Sequence, residues 1–285
     1  MLVTDAAAAS MSTGSIPAAD WALRVTEYTD PACPWAWGSE PKFQWLRGVL
    51  DCPASGPARA DPIGAGPAGP VVWRRVFGIL FDEGEAPAPD PAAEAAWYRE
   101  ELVEIAGHTG APYPERLGWV TATSWPASLA AKAAERQGPA IADAVLQRLR
   151  ETTFLAGEPA DTPQRVLVAV HGLPGLDIEM LATDAAAPET REAVRRDWAE
   201  TRAPCPEVFA IDEVGRHTGR AKPLGEDPSD GYRYALPTLL FEGAGGRSVV
   251  AGWRPQEQYL AAVRRAAPSL SGLCDAAVAH PRPAA

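Results

Sequence analysis

A chain of 285 residues has room for one large domain or two small ones at ~150 residues each, and 46% hydrophobic against 22% charged residues is a globular rather than a disordered or collagen-like composition. The formal net charge of -11 repels phosphate backbones and anionic lipid surfaces, and no run approaches the ~20 apolar residues of a membrane span, so neither nucleic acid nor membrane is an expected partner. Four widely spaced cysteines, Cys33, Cys52, Cys205 and Cys274, form neither a disulfide framework nor a zinc module. No Lys or Arg precedes Arg24, so the Ala-rich start lacks the basic region of a secretory signal, and a cytoplasmic protein with free thiols is expected.

Residues 1–20 are small and polar without periodicity and are expected to be disordered. The stretch 21–29 (WALRVTEYT) reads as a strand with Leu23, Val25 and Glu27 on alternate positions, ended by Asp30-Pro31. A helix follows, with Pro34 suited to its first turn and Trp35, Phe43, Leu46 and Leu50 largely on one side; Gly38 and Pro41 are candidate kinks. Residues 53–70 form a Pro/Gly/Ala loop, and 71–77 (VVWRRVF) a second strand. The period then changes to 3.6, predicting helices near 91–107, 125–137, 138–156, 161–171, 176–183 and 188–201, with Pro126, Pro139 and Pro163 at helix starts. After a polar linker, 234–241 and 247–251 around GAGG predict a β-hairpin, and 255–267 a last helix before a Pro/Ala tail. The order strand, helix, strand, helical block, hairpin, helix is α/β with a helical insertion.

The sharpest local feature is Asp30-Pro-Ala-Cys33-Pro34-Trp35-Ala36-Trp37, which places a cysteine where a strand ends and a helix starts. Unpaired N–H groups and the helix dipole stabilise an anion there, so the thiol pKa is expected below the free value of ~8.5. Elsewhere the signals are weak. Gly64-Ala-Gly66-Pro-Ala-Gly69 precedes a strand and contains Pro67, whereas a dinucleotide site follows a strand and opens a helix. The histidines (His108, His171, His217, His280) lack metal-ligand spacing, so no metal is expected. Arg74 and Arg75 sit on opposite faces of their strand, which suits salt bridges better than a shared substrate carboxylate.

Cys33-Pro34-Trp35-Ala36 after the first strand, the helical insertion, and Leu236-Pro237-Thr238 opening the hairpin resemble the DsbA-like branch of the thioredoxin superfamily, nearest its FrnE-like members, 2-hydroxychromene-2-carboxylate isomerases and kappa-class glutathione transferases. The resemblance runs from Leu23 to Ala267. It implies a thioredoxin-like domain in two pieces, 21–80 and 203–268, with a helical insertion domain at 81–202 and a flexible tail at 269–285. It also implies Cys33 as nucleophile and Pro237 as a cis proline facing it. Pro34, Trp35, Ala36, Trp37, Trp125, Leu236 and Pro237 become the candidate substrate-binding residues, Trp125 because its helix faces the active site in family members.

A dithiol member carries a second cysteine where this chain has Ala36, so Cys33 cannot close a Cys-x-x-Cys disulfide. Two chemistries remain. Cys33 can exchange with a disulfide and be released by an external thiol, or the helix N-terminus can bind the thiol of a small cofactor, as in the isomerases and transferases, which generally carry Ser at the Cys33 position. A binding protein without catalysis is a third reading. No tightly bound cofactor is expected; a low-molecular-weight thiol or disulfide, or a protein thiol, is the expected partner. Cys205 could resolve Cys33 only if their Cα atoms lie within about 7 Å, while Cys52 suits packing and Cys274 the disordered tail. The sequence sets no oligomeric state.

Overall fold

The computed structural model describes residues 21–51, 70–84, 88–212 and 217–279. The expected N-terminal disorder, most of the 53–70 loop with its glycine motif, Cys52 and His280 lie outside the described residues.

Strand β1 (Leu23–Thr29) begins two residues later than its pattern suggests, and helix α1 (Pro34–Leu50) starts at Pro34 and continues through Pro41. Pro34 costs nothing there, because the first-turn N–H it lacks would have no helical partner. Strand β2 (Val71–Phe77) matches its expected limits. Six helices follow: α2 (Pro91–Thr109), α3 (Trp125–Ala134), α4 (Pro139–Phe154), α5 (Pro163–Val170), α6 (Ile178–Ala186) and α7 (Pro188–Thr201). Asp90 caps α2 by accepting the N–H groups of Ala92 and Ala93, while Thr162 and Asp177 cap α5 and α6. Gly110 closes α2 at φ 74°, a left-handed conformation open to glycine. The polar linker contains a small ribbon, β3 (Lys222–Pro223) against β4 (Tyr232–Arg233), before the hairpin β5 (Thr238–Gly243) and β6 (Gly246–Ala251) and helix α8 (Gln256–Ala266).

The tail is a correction. Residues 268–270 form a 3₁₀ turn and Ser271–Ala279 a further helix, α9. Leu270 and Cys274 are buried in the main core cluster beside Leu50 and Leu260, and α9 touches α1 and α8. Cys274 is therefore a core residue, and 269–279 belongs to the packed domain because its apolar residues complete that face.

The four-stranded sheet has the order β2-β1-β5-β6, with β1 parallel to β2 and the other pairs antiparallel. One face carries Leu23, Val25, Leu239, Phe241 and Val250, packed by Phe43 and Leu46 of α1 and Tyr259, Leu260 and Val263 of α8. The opposite face carries Tyr28, Val76 and Leu240, covered by Cys205, Val208 and Tyr234. The two faces follow the two-residue alternation of a strand. The insertion has its own core of α3, α4, α5 and α6 side chains, entered by Phe77 from the end of β2. This is a thioredoxin-like α/β fold with a large helical insertion.

Glu27 ties the two parts together. It is fully buried, continues the Leu23–Val25 row, and accepts bonds from Arg47 (2.8 Å), Arg75 (3.3 Å) and Trp73 (3.0 Å). Arg150 of α4, also fully buried, donates to Glu40 of α1 (2.5 Å) and to Thr29 (2.7 Å), and lies 3.6 Å from Glu27. Burial alone would raise the Glu27 pKa, but Arg75, Arg47 and Arg150 outweigh it and hold it at about 2. Buried charges of this kind persist because each is paired.

Candidate active site

Beyond Thr29, Asp30 turns inward and organises the turn that presents Cys33. Its side chain is fully buried and accepts bonds from Ala32 N (2.7 Å), Leu80 N (2.7 Å) and Ser124 Oγ (2.8 Å). Burial pushes its pKa up, against the pull of those bonds. Its carbonyl accepts from Cys33 N at 3.2 Å, leaving Cys33 as the residue before α1, in extended conformation. The Cys33 thiol donates to Leu236 O at 3.6 Å, and the Leu236–Pro237 peptide is cis. The segment after β2 is pinned to the same place, since Ser124 N donates to Phe81 O at 2.9 Å and Ile79 is held at φ 44°, a backbone region that β-branched residues rarely occupy.

Cys33 lies at the floor of a cleft of about 360 Å³. Trp35, Phe81, Trp97, Tyr98 and Trp253 give the cleft an aromatic side. Lys222 and Arg233, with Glu101 opposite to them in sign, and the imidazole of His217 supply its polar groups. Trp35 of α1 packs against His217 (4.2 Å between ring centroids) and His108 (5.9 Å), and His217 lies 3.9 Å from Glu104.

The thiol's electrostatics reverse the sequence expectation. Cys33 is 3% exposed, and burial pushes its pKa up to about 11 despite the N–H groups of Ala36 and Trp35, with Asp30 pushing the same way and Arg150 pulling it down. The anion-stabilising N–H groups are present, but removing the thiolate from water costs more than they return.

The candidate substrate-binding residues divide. Pro34, Trp35 and Leu236 line the cleft with Cys33. Ala36, Trp37, Pro237 and Trp125 do not. Ala36 is fully buried beneath the helix start. Trp37 turns to the insertion, donating to Pro112 O at 2.9 Å and stacking on Phe154. Pro237 contributes its carbonyl to Gly252 N at 2.7 Å, in the hairpin. Trp125 is 4% exposed and packs with Ile79 and Val194, its indole donating to Asp82 at 2.7 Å. Arg74 pairs with Glu200 and Arg75 with Glu27 and Asp143; neither lines the cleft. Cys33, Cys205 and Cys274 are free thiols. Cys205 sits in the Tyr28–Tyr234 cluster, its N–H donating to Tyr234 Oη at 2.9 Å.

Sequence reasoning missed the cations of the β3–β4 ribbon and the α2 residues Tyr98 and Glu101. The Asp227-Pro-Ser-Asp-Gly231 run between Pro223 and Tyr232 carries turn chemistry from which the ribbon could have been read. Nothing local marks Tyr98 as a residue of the cleft. Among the described residues no cluster of His, Cys, Asp and Glu could hold a metal ion, and no helix is long and apolar enough to cross a membrane.

Comparison with known proteins gives the same architecture. The family model described as Thioredoxin matches residues 115–203, a stretch within the helical insertion that contains neither Cys33 nor Pro237. The curated ClpXP adapter protein SpxH of Shouchella clausii is 40% identical over 75 residues, which is 26% of this chain and 25% of that protein; the chain thus spans about a quarter of the length of the curated relative it matches. Two similar solved structures are a protein from Nitrosomonas europaea provisionally assigned as a protein disulfide isomerase (TM-score 0.55, 13% identity, covering 90% of this chain and 98% of that one) and the cytosolic disulfide reductase DsbM of Pseudomonas aeruginosa (TM-score 0.50, 16% identity, covering 90% and 98%). By fold, the chain is thioredoxin-like and similar to these two structures, with a helical domain inserted between the strands of its sheet.

Proposed function

We propose that the protein is a thiol-disulfide oxidoreductase that works through Cys33 alone and depends on an external thiol for release, acting in the cytoplasm on a small-molecule or protein thiol or disulfide. One observation carries the reading: the Cys33 thiol stands at the start of α1, at the floor of a cleft and against Leu236 O, while Ala36 occupies the place of a second cysteine. The thiolate of Cys33 would attack one sulfur of a disulfide, forming a mixed disulfide and releasing the other half as a thiolate. A second, external thiolate would then attack the mixed disulfide and return Cys33 to its reduced form. The disulfide-reductase name of the DsbM structure supports the same chemistry, and the free thiols of Cys33, Cys205 and Cys274 suit a reducing compartment.

The test compares reduction of a small disulfide by wild type, Cys33→Ser and Ala36→Cys, each with and without added thiol. Thiol-dependent turnover that disappears in Cys33→Ser, with Ala36→Cys less dependent on the added thiol, is the expected result. Equal activity in wild type and Cys33→Ser sinks the reading. Partner binding without turnover is the second reading, favoured by the 3% exposure of Cys33 and its high pKa and by the adapter role in the name of the SpxH relative. The aromatic side of the cleft also suits a small hydrophobic substrate of a thiol-cofactor isomerase or transferase; tight binding of a small thiol without disulfide formation would select that alternative.

A further inference from the structure

The chain carries 37 acidic and 26 basic residues, yet the cleft above Cys33 has the opposite balance. Lys222 and Arg233 both line it, held side by side because they are direct partners in the β3–β4 ribbon. Among the described residues neither has a carboxylate at ion-pair distance, and Arg233 spends one guanidinium N–H on the neighbouring Tyr234 O at 3.1 Å. Most other arginines near the sheet are paired: Arg24 with Glu242, Arg47 and Arg75 with Glu27, Arg74 with Glu200, Arg150 with Glu40. Two cations are thus left together, facing a nucleophile, in an acidic protein. A guanidinium and an ammonium so placed match a carboxylate, and the aromatic wall of Trp35 and Tyr98 would hold the body of the ligand.

We propose that Lys222 and Arg233 form an anion subsite that makes Cys33 selective for disulfides bearing a carboxylate. This rests on the exchange chemistry proposed above and adds its substrate class. With the carboxylate on Lys222 and Arg233, one sulfur of the ligand is presented to Cys33. The Cys33 thiol gives its proton to solvent, the thiolate's electron pair forms the Cys33–sulfur bond, the ligand's own S–S bond breaks, and the departing half leaves with that bond's electron pair as a thiolate that takes a proton from solvent. The disulfide bond is thereby transferred to Cys33, and the two-electron reduction of the ligand is completed when the external thiol attacks the mixed disulfide, releases the second half and is itself oxidised. The same cations would favour a carboxylate-bearing thiol in the release step.

The experiment measures, by mass spectrometry of the Cys33 peptide, the rate at which the full chain forms mixed disulfides with dithiodipropionate, which is dianionic, and with hydroxyethyl disulfide, which is neutral. The ratio of the two rates is compared in wild type, Lys222→Gln, Arg233→Gln, the double variant and Arg233→Lys. Loss of both charges should lower the anionic-to-neutral ratio roughly five- to tenfold, while the neutral rate stays within about twofold. The wild-type ratio should also fall in about 0.5 M salt, where charges are screened over a few ångströms, and Arg233→Lys should keep most of it. A ratio unmoved by the substitutions and by salt overturns the subsite while leaving exchange at Cys33 standing, and so does a variant that loses both disulfides in equal measure. Failure of both disulfides to label Cys33 at any pH overturns the exchange reading instead.

Discussion

Burial sets the reactivity of Cys33, and the pH profile of its alkylation reads that directly. With the thiol pushed up to about 11, about one molecule in ten thousand carries the thiolate at pH 7, against about 3% for a free thiol near 8.5, so the folded protein should alkylate roughly 300-fold more slowly than its unfolded chain. Limited access to a 3% exposed sulfur lowers the rate further but does not alter its dependence on pH, so the shape of the profile is the decisive readout. Iodoacetamide labelling at Cys33, followed by peptide mapping from pH 7 to pH 11, should rise about tenfold per pH unit with no plateau below about pH 10. Asp30→Asn should move the rise to lower pH, because Asp30 is one of the groups pushing the thiol up. A plateau by pH 8 would refute the reasoning, showing that the N–H groups at the start of α1 outweigh desolvation.

Arg150→Met leaves Glu40 short of one of its two arginines and Thr29 without its donor; it should cost about 3–5 kcal/mol in urea unfolding, and a loss below about 1 kcal/mol would mean the cluster does not join the insertion to the sheet. Glu27 titrates lower in the folded protein, at about 2, than its ordinary 4.5. Its contribution is therefore fully present above pH 4.5 and is lost as the pH falls towards 2; thermal melts across that window should show wild type losing stability faster than Glu27→Gln, and parallel curves would contradict the pairing. Trp125→Phe should cost about 1 kcal/mol for the lost bond to Asp82 and leave Cys33 labelling within about twofold, whereas a large change would place Trp125 at the site after all.

What was legible in the sequence follows from which residues act locally. Strand β2 and the helix starts at Pro34, Pro91, Pro139, Pro163 and Pro188 coincide with apolar periodicity and first-turn prolines, signals that each segment carries by itself. The tail was misread because Ala276, Ala277 and Ala279 look like low-complexity sequence, and only the core cluster around Leu50 and Leu260 shows where Leu270 and Cys274 go. The β3–β4 ribbon is two residues per strand, too short for any alternation to appear.

The site divides along the same line. Cys33 could be placed at a helix start because Asp30-Pro31 and Pro34 mark the junction, and that placement correctly implies N–H groups aimed at the sulfur. The sign of its pKa shift could not be read that way. It depends on what closes over the sulfur: Leu236 from the hairpin, some two hundred residues away in sequence, and Asp30, kept buried by Leu80 and Ser124 from two further segments. Each of these is ordinary in its own sequence neighbourhood. Desolvation is a property of the assembled surfaces, so a cysteine at a helix N-terminus is a statement about geometry, and its reactivity is decided by the elements that pack against it.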